Sequence, residues 1–397
     1  MPKRVIATDR LMQPIAHFSH AARIGNAIYV GATAGTDAGR RLAGSRVGGI
    51  DFAAQTRQMF DNAETVLGLL GARLEDTVRI KTYLADLRDL VAYRGLFGAR
   101  FAACRPSHAV AGSWGFPLPQ AAVEFDLVAV VDEPRERPES ARLPAAAAAC
   151  APAGVRVGAR FYCTALPVDR SGNASPGNPA AQSELALANL SLMLEAAGLR
   201  PADVVNAHVT LSHAGDFAAL DSAYRDVFRA PYPSRTLVVA PLESEETLVQ
   251  IEATAFEGGG RPISGPGEPT GLGAASAACL AEDECYVSGH TGWGGAGEGQ
   301  FGVEGQTRAA WERISALLQA AGMDRSCVLR TNNVLTDWRH YRGFNTGYGA
   351  HVSAPYPPRT TVLGGLIDAR AYVQIEAIAH RSGGDAEVLT THGKDAG

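Results

Sequence analysis

Two arginines and one histidine occupy the same place in a segment that the chain contains three times. The three copies are APYPPRTTV (354–362, with Arg359), APYPSRTLV (230–238, with Arg235) and CRPSHAVAG (104–112, with His108). The planar guanidinium of arginine binds a carboxylate through two parallel hydrogen bonds, and a partly protonated imidazole can also hold an anion. The pattern predicts binding sites for a small carboxylate. The alternatives are surface ion pairs for the arginines and a remnant of a lost site for His108.

Fixed spacings show that this segment belongs to a much longer repeat. In each copy a glutamine precedes the arginine or histidine by 53 positions, and a glycine lies 16 positions after the glutamine. The glutamines are Gln55, Gln182 and Gln306, and the glycines are Gly71, Gly198 and Gly322. A period of about 125 residues is the size of a small domain rather than of a solenoid repeat. The sequence therefore predicts three copies of one fold.

The composition between the repeats predicts where each unit begins and ends. Unit one is predicted at 1–132, unit two at 149–257 and unit three at 274–382. Proline, glycine and charged residues are frequent at 133–148 and 258–273, which is typical of linkers. The tail, 383–397, is polar, and we expect it to be disordered.

Apolar periodicity predicts the same order of elements in each unit: strand, helix, strand, helix, strand, strand. One or two extra strands precede this series in each unit. In unit one a helix from Phe52 to Leu70 places Met59, Ala63 and Val66 on one face. In unit two the predicted buried stripe is Ala181, Leu185, Ala188 and Leu192. The fold class predicted is an α+β sandwich with helices on one face of each sheet. The other faces would pack together around a pseudo-threefold axis, as an intramolecular pseudo-trimer.

Composition limits the classes of partner. The net charge is −5, the isoelectric point is about 6.1, and basic residues are dispersed, so we expect neither nucleic acid nor membrane as partner. The first residues lack the apolar run of a signal peptide, and the six cysteines form no C-x-x-C pair. We expect a cytoplasmic protein with free thiols. We also expect no metal and no organic cofactor, because neither a ligand cluster nor a phosphate loop is present in the sequence.

In combination, five short motifs of unit three resemble the RidA/YjgF family. They are Ser288-Gly289, Gln306-Thr307-Arg308, Ala320-Ala321-Gly322, Pro357-Pro358-Arg359-Thr360 and Val373-Gln374-Ile375-Glu376-Ala377-Ile378-Ala379. Members of that family are usually short chains that form homotrimers with a cleft between each pair of subunits. The resemblance implies that this chain is a monomer with three unequal clefts, with a weak dimer as the largest assembly expected. It also implies hydrolytic deamination of reactive enamines and imines without a cofactor.

The resemblance implies which residues form the sites, and the three units differ at them. The arginine position implies carboxylate binding by Arg359 and Arg235. The acid on the last strand that orients or deprotonates water is Glu124 in unit one, but glutamine in the other units (Gln250, Gln374). Glutamine can position a water molecule but cannot take its proton. Further substrate-binding positions are Ser288, Gly289, Thr360, Asn345 and Tyr348 in unit three, Thr164 and Thr236 in unit two, and His108 in unit one.

No unit keeps the whole set, because arginine and glutamate are found in different units. Only a cleft between two units could bring them together. Arg359 is the favoured anchor, with Ser288, Gly289, Thr360 and Asn345 expected around it, and Arg235 would lie in a second cleft. Glu252 and Glu376 are possible substitute bases.

The leading hypothesis is an enzyme of a specialised, biosynthetic pathway that acts on a small carboxylate-bearing imine, enamine or related unstable metabolite. The alternatives are a chorismatase-like enzyme that acts on an enol-ether carboxylate, and a ligand-binding protein without catalysis. Fold alone does not decide among them.

Overall fold

The computed structural model describes residues 2–46, 49–144, 154–173, 175–265, 273–293 and 302–391. It confirms the predicted α+β class: the described residues form three large mixed sheets, a small two-stranded sheet and six α-helices. Two of the helices accompany each large sheet. None of the helices in this part of the chain is long and apolar enough to cross a lipid bilayer.

Unit one forms most of the first sheet, whose strand order is β21-β1-β2-β3-β8-β6-β7, where β21 (Ala386–Thr391) comes from the end of the chain. Its elements are β1 (Lys3–Thr8), β2 (Ala21–Ile24), β3 (Ala27–Ala34), β4 (Ser45–Arg46), β5 (Gly49–Ile50), α1 (Phe52–Leu69), β6 (Thr77–Leu84), α2 (Leu90–Arg100), β7 (Ser107–Gly112) and β8 (Val123–Val130). The Asp51 side chain accepts a hydrogen bond from the Ala54 amide and so caps α1. The helix is followed by Gly71, at a φ of 74°. This is the left-handed conformation that glycine adopts without strain, as predicted.

Units two and three repeat this order in sheets of six strands. In unit two the elements are β10 (Val155–Val157), β11 (Arg160–Ala165), α3 (Pro179–Ala196), β12 (Val204–Leu211), α4 (Phe217–Val227), β13 (Ser234–Val239) and β14 (Val249–Phe256). In unit three they are β16 (Ala278–Ala281), β17 (Glu284–Thr291), α5 (Gly302–Ala320), β18 (Val328–Leu335), α6 (Tyr341–Gly349), β19 (Arg359–Leu363) and β20 (Val373–His380). Gly198 and Gly322 also have positive φ, at 73° and 75°.

The predicted buried stripe of α3 is wrong. The helix buries Ala186, Leu187, Leu190 and Leu194, whereas Ala181 and Ala188 are exposed. Apolar residues lie on almost every side of this helix, so their spacing does not single out one face. The corresponding prediction for α1 is correct, because Met59, Ala63 and Val66 are fully buried.

Segments outside the predicted units also enter the sheets. Two short strands from the predicted linkers, β9 (Arg135–Glu136) and β15 (Arg261–Ile263), extend the sheets of units two and three. The tail prediction is wrong for β21 (Ala386–Thr391), which pairs in parallel with β1 and so joins the two ends of the chain. The rest of that tail, 392–397, lies outside the described residues.

The helix-covered face of each sheet holds that unit's own apolar core. The opposite faces meet one another, and ion pairs link the three units in a ring. Arg79 of unit one pairs with Glu252 of unit two, His208 of unit two with Glu376 of unit three, and Arg330 of unit three with Asp126 of unit one. The three acids occupy equivalent positions on β14, β20 and β8. This buried centre leaves the three edges between units for possible sites.

Candidate functional site

Cleft A, between units one and three, contains the arginine and the glutamate that the sequence separates. Arg359 begins β19 of unit three, and Glu124 lies on β8 of unit one. Both line a single pocket, together with Phe18 of unit one and Tyr341 of unit three. The backbone of Gly31 lies so close to Arg359 that a β-carbon at position 31 would be 2.7 Å from the backbone nitrogen of Arg359. Glycine at this position therefore allows the two units to approach.

Arg359 is held in cleft A by aromatic rings. Its guanidinium carbon lies 5.4 Å from the ring centre of Phe18, 5.1 Å from that of Phe344 and 4.9 Å from that of Tyr348. Nη2 donates a long hydrogen bond of 3.4 Å to the Tyr341 hydroxyl, and Nη1 has no hydrogen-bond partner among the described residues. Burial lowers the pKa of Arg359. A buried cation with an unused donor favours an anionic ligand.

Glu124 is buried in the wall of the same cleft. It is 4% exposed, and burial raises the pKa of its carboxyl to about 8. Val123 and Phe125, its neighbours along the strand, belong to the apolar core on the other face. A carboxyl that titrates close to neutral pH can both give and take a proton under physiological conditions.

The polar residues around cleft A also fix its walls. Asn62 on α1 donates from Nδ2 to the backbone oxygens of Ala34 and Thr36, at 2.9 and 2.8 Å. Those bonds hold the loop after β3 against the helix.

His20, two residues after Phe18 in the sequence, precedes β2 and also lines the pocket. Its Nε2 atom is buried and makes no hydrogen bond with the described residues.

Cleft B, between units two and three, is built from the equivalent positions but is closed. Arg235 is fully buried, and its Nη2 forms an ion pair of 2.6 Å with Asp221 of its own unit. Although burial opposes it, hydrogen bonds from the Ala274 amide and from Arg235 hold the pKa of Asp221 below its ordinary value. The Arg235 amide donates to the Ser288 hydroxyl at 2.8 Å. Arg235 therefore already has a carboxylate partner within its own unit.

Cleft C, between units one and two, has His108 at the position of the arginines. His108 stacks on Phe97 with ring centres 3.9 Å apart, and its Nε2 is 3.1 Å from the Thr82 hydroxyl. Burial, with the nearby Arg94 cation, lowers the pKa of His108 to about 3. The imidazole is therefore neutral at physiological pH, which agrees with a remnant of a lost site.

One position on the second helix of each unit explains much of this difference. It is Asp221 in unit two, Asn345 in unit three and Arg94 in unit one. The acid neutralises Arg235, whereas the amide carries no charge and leaves Arg359 without an acid partner among the described residues. In unit one the cation pairs with Glu243 of unit two instead.

The structure places several predicted residues elsewhere than expected. Ser288 and Gly289 were expected around Arg359, but they lie in cleft B: Ser288 contacts Arg235, and Gly289 lies against Thr236 and Gln374. The reason is that a strand of one unit always meets the arginine of another unit. Gln374 Nε2 donates to the Leu237 oxygen, which also places it in cleft B.

Thr360 and the two later acids belong to the centre of the molecule. The Thr360 hydroxyl donates to Asp126 at 3.3 Å, whereas Thr361, the next residue, lines cleft A. The prediction for Thr360 misses because successive side chains of a strand point to opposite sides. Glu252 and Glu376 are ion-paired with Lys81 and His208, so they are unsuited to replace Glu124.

The remaining predicted residues have supporting positions. Tyr348 contacts both Arg359 and Thr331, whose hydroxyl is 2.9 Å from the tyrosine oxygen. Asn345 donates to the Tyr341 carbonyl one turn earlier. Thr164 lies 3.3 Å from the Ser107 hydroxyl in cleft C. Both amide atoms of Gln250 are buried without a hydrogen bond to the described residues.

Sequence reasoning missed several residues of cleft A, among them His20, Tyr341 and Thr361. The sequence offers one signal for His20. It follows Phe18 by two positions, so the two side chains point to the same side of an extended chain. Tyr341 and Thr361 carry no such signal, because nothing in one unit's sequence states which partner unit it meets.

Comparison with known proteins extends these observations. A family model described as endoribonuclease L-PSP matches the chain three times in tandem, at residues 8–131, 141–257 and 268–381. The protein mmf2 of Schizosaccharomyces pombe is 32% identical over 106 residues, which is 26% of this chain and 84% of that relative. A 2-iminobutanoate/2-iminopropanoate deaminase of Dermatophagoides farinae is 28% identical over 131 residues, 33% of this chain and 98% of that relative.

A solved structure of a chorismatase resembles the chain beyond a single unit. It covers 77% of this chain and 93% of its own, with a TM-score of 0.55 and 12% identity, which shows similarity of fold alone. The family matches together span most of the chain, and their order agrees with the three sheets. The chain belongs to the endoribonuclease L-PSP family, the RidA/YjgF family that its motifs resemble, as three tandem copies.

Proposed function

We propose that the chain is an enzyme that hydrolyses a small carboxylate-bearing imine or enamine in cleft A, without a cofactor. One observation carries the proposal. Arg359 is 4% exposed, has no acid partner among the described residues and shares its cleft with Glu124. A buried guanidinium of this kind suits the carboxylate of a substrate, and a carboxyl beside it suits proton transfer.

The roles follow from the chemistry of the two groups. Arg359 holds the substrate carboxylate, so that the C=N bond lies in the same cleft as Glu124. Burial raises the pKa of Glu124 to about 8, so this carboxyl is mostly protonated at pH 7 and can give a proton to the imine nitrogen. Protonation makes the imine carbon more electrophilic towards water. The name of the Dermatophagoides farinae relative, a 2-iminobutanoate/2-iminopropanoate deaminase, supports this class of substrate.

The direct test is steady-state hydrolysis of 2-iminopropanoate generated in situ from alanine by an amino-acid oxidase. Arg359→Lys keeps the charge but loses the two-pronged hydrogen bond, worth about 1.5–3 kcal/mol, so kcat/KM should fall about ten- to a hundred-fold. Arg235→Lys is the matched control, because that arginine already pairs with Asp221. If the wild-type protein hydrolyses none of a series of imines, the proposal fails. If only Arg235→Lys loses activity, the site is in cleft B.

Chorismatase-like hydrolysis of an enol-ether carboxylate is a second candidate. The observation in its favour is the similarity of fold to a chorismatase over 77% of this chain. Such a reaction would also use a carboxylate anchor and an acid, the roles that suit Arg359 and Glu124. Incubation with chorismate, followed by chromatography of the products, tests it. Turnover of chorismate without turnover of imines would favour this candidate. Binding of carboxylates without either reaction would favour a ligand-binding protein.

We also propose that the chain acts as a monomer. The ring of ion pairs Arg79–Glu252, His208–Glu376 and Arg330–Asp126 joins each unit to both others within one chain. The sheet faces are therefore already covered, and no further copy is needed to build a cleft. Light scattering should report a single chain, and a stable trimer of the 397-residue chain would contradict this.

A further inference from the structure

His20 is a half-buried titratable residue of cleft A that the proposed roles of Arg359 and Glu124 leave unused. It lines the same pocket as those two residues. Its ring meets that of Phe18 edge-on, with centres 6.4 Å apart, and Phe18 contacts the guanidinium of Arg359. The Phe18 ring therefore lies in contact with both His20 and Arg359.

The state of the imidazole suggests a role as proton acceptor. Nε2 is buried and has no hydrogen-bond partner among the described residues, so its bonding capacity is unused. Burial lowers the pKa of His20, opposed in part by a hydrogen bond to the Met12 backbone. The ring is therefore neutral at pH 7, with one nitrogen engaged with the backbone. A neutral imidazole can accept a proton, which the protonated carboxyl of Glu124 cannot do.

The equivalent position of unit three lacks this group. His20 corresponds to Ala277 of unit three, because the backbone oxygens of these two residues accept the equivalent hydrogen bonds, from Gly31 and Ser288. Phe18 corresponds to Ala275 by the same register. Cleft A therefore combines an arginine, a carboxyl and an imidazole, whereas unit three brings alanine to the same place in cleft B.

We propose that His20 is the proton acceptor for the attacking water in cleft A, acting together with Glu124 as proton donor. This inference rests on the proposed imine hydrolysis and assigns a second proton-transfer residue to it. Two neighbouring groups are suited to act as proton acceptor and proton donor when their surroundings lower the pKa of one and raise the pKa of the other.

The proton balance of the reaction closes with these two residues. In the first step the water oxygen bonds to the imine carbon, His20 takes the water proton, and the nitrogen receives a proton from Glu124. In the second step the carbinolamine nitrogen takes the proton back from His20, and the C–N bond breaks with its electron pair leaving on ammonia. The hydroxyl proton returns to Glu124 as the carbonyl forms. Both side chains end as they began, and no co-reactant is required.

The experiment compares His20→Gln with His17→Gln, a matched substitution on the same segment whose ring packs on Tyr356. Turnover of 2-iminopropanoate is measured between pH 5 and 9, with binding of pyruvate as an independent probe of the carboxylate anchor. We expect kcat of His20→Gln to fall about 10²–10⁴-fold, while KM and pyruvate affinity change less than about two-fold. The wild-type kcat/KM profile should be bell-shaped, and His20→Gln should lose the acidic limb.

The outcomes separate this inference from the proposed function. If the wild type is active and His20→Gln has the same kcat and the same pH profile, the role of His20 is overturned while the proposed function stands. Equal losses in His20→Gln and His17→Gln, with weakened pyruvate binding in both, would show a structural role and also overturn it. A wild-type protein that hydrolyses no imine overturns the proposed function, and the role of His20 falls with it.

Discussion

Clefts A and B are built from equivalent positions, yet among the described residues the arginine of cleft B has an acid partner and the arginine of cleft A has none. In cleft B, Asp221 pairs with Arg235 at 2.6 Å, and Gln374 stands where cleft A has Glu124. In cleft A, Asn345 replaces the aspartate, although both arginines contact aromatic rings: Arg359 those of Phe18, Phe344 and Tyr348, and Arg235 those of Phe217 and Tyr224. The comparison teaches that duplication of a site does not preserve it. One carboxylate on the second helix is enough to supply internally the anion that an arginine would otherwise bind.

Glu124→Gln should have the largest effect, because it gives cleft A the side chain of cleft B. Glutamine keeps the shape but cannot give or take a proton, so kcat should fall about 10²–10⁴-fold with little change in KM. Steady-state hydrolysis of 2-iminopropanoate measures this. Gln374→Glu is the control and should leave activity unchanged, because Arg235 remains paired with Asp221. Full activity of Glu124→Gln would show that catalysis does not depend on having Glu124 in cleft A where cleft B has Gln374.

Asn345→Asp should close cleft A in the way that cleft B is closed. The new carboxylate would pair with Arg359 and compete with the substrate, so affinity for pyruvate should fall about ten- to a hundred-fold, the range of a charge-assisted hydrogen bond. Isothermal titration calorimetry measures the affinity. Asn345→Ala removes the same amide without adding a charge and should change affinity much less. Equal losses in both variants would show that the amide itself, rather than the absence of an acid, matters.

The sequence predicts the fold far better than it predicts the neighbours of each site residue. The spacing of Gln55, Gln182 and Gln306 predicts three copies, and the helix predicted from Phe52 to Leu70 is α1, which ends one residue earlier. Partners across an interface depend on the order in which the units meet, which no local pattern encodes. That is why Ser288 was assigned to Arg359 but contacts Arg235, and why His20 was not recognised as part of cleft A.

The stability of the protein should depend on pH through Glu124. Burial raises the pKa of this carboxyl from 4.5 to about 8 in the folded state, so folding favours the protonated form. The stabilisation is complete below the unfolded value and is lost as pH rises through about 8. The carboxyl borders an open cleft, which reduces the effect, so we expect a contribution of about 1–2 kcal/mol to the free energy of unfolding. Denaturant unfolding from pH 5 to pH 9 should show less loss of stability in Glu124→Gln than in wild type. If the free energy of unfolding changes with pH equally in the two proteins, the raised pKa of Glu124 is contradicted.

Asp221→Asn should open cleft B in part. Asparagine can still accept the hydrogen bond from the Ala274 amide, so the loop keeps its anchor while Arg235 loses a charged partner. We expect a second, weaker binding event for pyruvate by calorimetry, without added hydrolysis, because cleft B lacks a glutamate. A stoichiometry that stays at one would show that cleft B is closed by its packing rather than by Asp221.

His108→Arg should have the smallest effect, since restoring the arginine of cleft C does not restore its surroundings. His108 lies flat against Phe97, and Arg94 lies close enough to contribute to lowering its pKa to about 3. A new guanidinium would face that cation, and the acid position of unit two is Gln250, so neither anion binding nor proton transfer is supported. Pyruvate stoichiometry and imine turnover should therefore match those of wild type. The double variant with Arg94→Asn removes the repulsion between the two cations and measures how much that repulsion contributes. It gives unit one the same two residue types that unit three has at Asn345 and Arg359. If the single variant gains a carboxylate site, then the charge on the second helix does not control these clefts, and the contrast between clefts A and B needs another cause.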